Sequence, residues 1–121
     1  MAGLSEMTPN EVQEYRQHLK VVTDMNDSLT RLLENNDFKK VFVDGYQKDE
    51  AVRLVHLYGD NSLNANKDRD HLRSDLQERI VSVARFSEYI RFIQWSGNKA
   101  KEELEQLSQA ELEFYKSQPQ G

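Results

Sequence analysis

Apolar residues recur in alternating steps of three and four through the first third of this chain, and that rhythm leaves little room for anything but an amphipathic helix. The series is Val12, Tyr15, Leu19, Val22, Leu29 and Leu33, with Met25 and Leu32 widening the face. Such steps hold side chains on one side of a 3.6-residue turn, and over several turns they make a seam that packs against another helix. Asn26 occupies one position of this seam. Buried there, it fixes register or oligomer state. At the seam edge it only faces water, and the breadth added by Met25 and Leu32 favours the edge. Thr8-Pro9-Asn10-Glu11 supplies a cap, a proline suited to the first helical position and a glutamate that reaches back to the cap. This first helix therefore starts at Pro9 and runs to about Glu34, where Asn35-Asn36-Asp37 breaks it and caps the next.

Phe38, Val41, Phe42, Gly45 and Tyr46 fall on one face of a second helix, continued by Ala51, Val52, Leu54, Val55 and Tyr58. Asp44-Gly45 is a turn signal inside it, which predicts a kink or a pause, with a restart at Asp49-Glu50. Gly59 ends the element and Asp60–Asn66 forms a polar loop. A third helix starts near Lys67–Asp70 and runs to about Ser96, with a stripe of Leu72, Leu76, Ile80, Val83, Phe86, Ile90 and Ile93. Val81, Ala84, Tyr89, Phe92 and Trp95 add a second flank. A helix apolar around this much of its girth is buried on more than one side. Gly97-Asn98 reads as a cap or hinge. Beyond it, Ala100, Leu104 and Leu107 mark a sparser fourth helix, with a second capping-box pattern at Ser108-Gln109-Ala110-Glu111 that marks a restart, and a short apolar end at Leu112, Phe114 and Tyr115.

These elements define an all-α fold: an elongated helical bundle or hairpin of three to five helices, the first and third being long antiparallel partners. With 121 residues the chain is one domain long. The helical domain is expected over residues 9–116, between a flexible N-terminus at 1–8 and a flexible tail at 117–121. Charged residues make up 31% and hydrophobic residues 37%. That balance suits a thin bundle, or one that completes its core against another copy.

Composition and motifs exclude much chemistry. Cysteine is absent, which removes disulfides, thiolate nucleophiles and cysteine zinc sites and suits a reducing, cytoplasmic setting. No signal peptide is evident, and no stretch approaches the roughly 18 apolar residues of a membrane span. Asp60, Ser62, Asn64, Asn66 and Asp68 match the odd positions of an EF-hand loop. However, Ala65 stands where the glycine belongs and His71 where the bidentate glutamate belongs, so a plain polar loop is the better reading. His18, His56 and His71 lack metal-ligand spacing, and each reads as a satisfied or exposed histidine; His56, beside the apolar face, also suits a hydrogen-bonded core residue. Asp49-Glu50 and Glu102-Glu103 are adjacent and diverge on a helix, so neither pair shares a proton; Asp49-Glu50 suits a helix start. No metal, cofactor or catalytic residue is expected, and an enzyme is not. Arg73, Arg79, Arg85 and Arg91 stand six apart, and Arg69 precedes them. That spacing walks around the helix among acidic residues, and the net charge is −5, so nucleic acid is a poor partner and ion pairing is the expected use.

The run Asp37-Phe38-Lys39-Lys40-Val41-Phe42-Val43-Asp44-Gly45-Tyr46, then Glu50-Ala51-Val52-Arg53-Leu54-Val55, together with Phe86–Ile93 and Gly97-Asn98-Lys99-Ala100, resembles small, mostly uncharacterised helical proteins of tailed bacteriophages. The resemblance covers about half the chain, rests on helix-packing residues and carries over no functional residue. It implies a minor virion or assembly component, or a small effector in the infected cell, located in the host cytoplasm or the virion. The expected function is protein–protein interaction, through self-association or with another protein. The interface candidates are Phe86, Tyr89, Phe92 and Trp95, which are equally suited to an ordinary intrachain core, together with Asn26. The alternative is a small effector that binds a host protein, a nucleotide ligand or a nucleic acid.

Overall fold

The computed structural model describes residues 6–60 and 67–117. Among these the fold is all-α, with no strand. Helix α1 spans Pro9–Glu34. Thr8 caps it as its pattern predicts: the Glu11 amide donates to Thr8 Oγ1 at 3.1 Å. Asn35 caps the next element by accepting from the Phe38 amide at 3.0 Å.

That next element, α2, covers 36–58 without the pause expected at Asp44-Gly45. It opens on Asn36–Phe38, widens to π geometry over Lys39–Glu50 and returns to an α-helix over Ala51–Tyr58. The widening changes which residues face inward. A π turn is one residue longer than an α turn, so the half-buried positions include Phe38, Val43, Gln47 and Ala51, in steps of five and four. Val41 and Phe42, placed inward by α spacing, are instead 58% and 42% exposed. Gly45 suits this segment, because a Cβ there would lie 3.0 Å from the carbonyl oxygen of Lys40, five residues earlier. α geometry resumes at Ala51, directly after the restart expected at Asp49-Glu50, but on a continuous helical backbone, and Glu50 accepts from Arg53 Nε at 2.9 Å. This pairing holds its carboxyl below the usual range. Gly59 follows the end of α2 as expected, its amide donating to the Val55 carbonyl at 3.0 Å.

A 3-10 turn at Lys67–Arg69 leads into α3, which runs unbroken over Asp70–Ser117. Neither the cap or hinge at Gly97-Asn98 nor the restart at Ser108 occurs; the third and fourth expected helices are one. The chain divides into two compact units, one of residues up to Leu29 and from Ile93 on, the other Thr30–Phe92. In the first, the partner of α1 is the stretch of α3 beyond Ile93, not the earlier stretch expected from the pattern. Its direction is antiparallel, since Arg16 pairs with Glu111 while Asn26 meets Gly97. Leu19, Leu29, Ala100 and Leu107 form its buried core. The seam of α1 points inward as its rhythm requires, but Met25 and Leu32 are about half exposed, at 51% and 48%.

In the second unit, α2 lies antiparallel to the first half of α3. Phe86 meets Phe42 and Tyr46, with ring centroids 6.1 and 5.4 Å apart, and Gln47 Nε2 donates to Ser87 Oγ at 3.0 Å. Further along, Gln77 Nε2 donates to the Tyr58 hydroxyl at 2.6 Å. Leu54, Val83 and Ile90 are buried.

Candidate interaction surface

The α3 stripe read from the sequence is the inward one from Leu76 onward: Val83 and Ile90 are buried, and Leu76, Ile80, Phe86 and Ile93 are half-buried, while Leu72 at its start is exposed. The second flank is not covered. Tyr89, Phe92 and Trp95 are 57%, 59% and 60% exposed. Phe86 therefore belongs to the intrachain packing, and the other three aromatics do not. Large aromatic side chains left this open carry much of the apolar surface that a partner can remove from water, since each buries 150–250 Å² when enclosed. The Lys99 ammonium lies 4.9 Å from the Trp95 ring centroid, where the π face attracts it.

Asn26 is neither a water-facing edge residue nor remote from packing. It is half-buried against Gly97, itself buried in α3. A Cβ at Gly97 would lie 2.3 Å from Asn26 Cβ and 2.7 Å from its Cγ and Nδ2. The bare Gly97 backbone is what lets α1 approach so closely here. Spacing alone makes Gly97 look like a helix end, because the residue that needs its missing side chain is 71 positions away in sequence.

A second link in this unit joins the Tyr15 hydroxyl to Glu103 Oε2 at 2.6 Å. Donation to a carboxylate favours the neutral phenol, and with desolvation and the adjacent negative charge it pushes the Tyr15 pKa from 10.0 up to about 12. Between these values the unfolded chain has lost the proton and the folded chain keeps it. The unfolded state then binds fewer protons, so stability falls as pH rises from 10 to 12. Unfolding followed across this range is expected to show that loss, and Tyr15→Phe to reduce it; an identical loss in the variant contradicts the assignment.

The remaining candidates stay dispersed. His18, His56 and His71 are all exposed, so His56 does not take the core position that its place beside the apolar face also allowed. Among the described residues no three of His, Asp or Glu gather to hold a metal. Arg79 pairs with Asp75 at 3.0 Å, and Arg73 lies 3.9 Å from Asp70 and 5.9 Å from the centre of the Tyr58 ring. Hydrogen bonds from Arg73 and Gln77 draw the Tyr58 hydroxyl below its ordinary pKa. The calcium-loop positions 61–66 lie outside the described residues, as do the chain ends at 1–5 and 118–121. No described helix is long and apolar enough to cross a membrane. The chain matches no protein-family model, no curated protein and no solved structure.

Proposed function

We propose that this is a non-enzymatic protein–protein interaction protein that self-associates through the open flank of α3. The observation that carries this reading is the exposure of Tyr89, Phe92 and Trp95 on a single helix, each well over half open. Seven apolar residues are buried among those described, while sixteen large ones are exposed. A chain with so small a core gains more from covering such a flank than from leaving it in water. The finer architecture read from the sequence, a bundle of three to five helices, is proposed with it. The phage resemblance adds a setting: a virion or assembly component acting in the host cytoplasm or the particle.

Phe92→Asp tests the reading. An aromatic anchor at the centre of an interface is worth at least about 2 kcal/mol, or roughly thirtyfold in affinity. Sedimentation equilibrium is expected to show the association weakened at least about that much, with circular dichroism unchanged because Phe92 is 59% exposed in the single chain. Unchanged association in a folded variant would count against the role of this flank.

A further inference from the structure

The open flank of α3 carries a charge pattern that reads as its own complement when reversed. Arg85, Glu88, Phe92, Trp95, Lys99 and Glu102 follow one another in steps of three and four, the spacing of a heptad seam. All six are exposed, and all lie on one uninterrupted helix. Among the described residues none of the four charges is held in an ion pair within the chain. Read forward, the order is plus, minus, two aromatics, plus, minus. A second α3 laid antiparallel about a twofold axis midway between Phe92 and Trp95 sets Phe92 against Trp95 of the other copy. It also sets Glu88 against Lys99 and Arg85 against Glu102. Each pairing occurs twice by symmetry, as an isologous contact requires.

A parallel arrangement in register sets each charge against its own like. Charge complementarity on this face therefore selects one occupant and one direction. We infer that the flank docks a second copy of this chain, antiparallel, with Phe92 and Trp95 at its centre and the Glu88–Lys99 and Arg85–Glu102 pairs on either side. The inference rests on the self-association proposed above and adds partner, direction and register.

The test is a charge-exchange cycle, with the dimer dissociation constant read by sedimentation equilibrium at low ionic strength, where surface ion pairs are least screened. Glu88→Lys or Lys99→Glu alone turns two attractive pairs into two repulsive ones, and each is expected to raise the constant by about tenfold. The double variant Glu88→Lys/Lys99→Glu restores the attraction and is expected to return it to within about threefold of the starting value. The two residues stand eleven positions apart, about 16 Å along the helix axis. They cannot reach one another within one helix, so rescue requires a second chain. If the protein self-associates but the single exchanges leave it unchanged, or the double exchange fails to restore it, the antiparallel pairing is overturned and self-association stands. If the unaltered chain is monomeric throughout, both readings fall.

Discussion

Replacing Leu107 with Ala is expected to destabilise the protein by about 2–5 kcal/mol, the cost of a leucine-sized void in a packed interior. Leu107 is 0% exposed, and among the described residues it shares its core with only Leu19, Leu29 and Ala100 as buried apolar residues of the same unit. With so few contributors, each carries a large share, and the surrounding helices have little other material with which to fill the space. Total stability in small domains is 5–15 kcal/mol, so the loss is expected to appear as a large drop in the urea midpoint at fixed protein concentration. Val21→Ala makes the contrast: at 64% exposure it is expected to change stability by no more than about 0.5 kcal/mol. Equal effects from the two substitutions would contradict the placement of the core.

Gly97→Ala is expected to destabilise by about 1–3 kcal/mol, the usual cost of forcing an extra methyl into filled space. The sign is the informative part. In a helix interior with room around it, the same change is expected to stabilise by about 0.5–1 kcal/mol, because glycine loses more backbone freedom on folding. Here the new methyl would lie 2.3 Å from Asn26 Cβ, an atom fixed to the α1 backbone and unable to swing aside. Asn26→Ala keeps that Cβ and is not expected to rescue Gly97→Ala. Asn26→Gly removes it, and is expected to make the Gly97 substitution markedly less costly. A gain in stability from Gly97→Ala alone would show that the two helices are not in close approach.

Periodicity found most of the core where the helix kept α geometry, although Val52, Val55 and Leu72, placed on apolar faces by the same spacing, are exposed. The seam of α1 points inward from Val12 to Leu33, and Val83 and Ile90 lie inside on α3. It misplaced Val41 because α spacing does not apply across Lys39–Glu50, where the wider turn brings Val43 inward instead; Phe42, though 42% exposed, still stacks on Phe86. Gly97 was misread for a different reason. Glycine at a helix end and glycine at a helix crossing look alike in one dimension, and only the position of Asn26 tells them apart. The same limit kept the aromatics of α3 undivided in the sequence. Phe86, Tyr89, Phe92 and Trp95 share apolar character, but only Phe86 meets rings from α2. The charges that flank Phe92 and Trp95 were present in the sequence, yet their order gains meaning only once that face is known to be open.

Whether the open flank of α3 brings copies of this chain together, as proposed, is decided by absolute mass from light scattering over a range from dilute to concentrated protein. Twice the 14.2 kDa of one chain is expected at high concentration, with the mass falling toward a single chain on dilution. A mass of 14.2 kDa at every concentration would contradict the proposal.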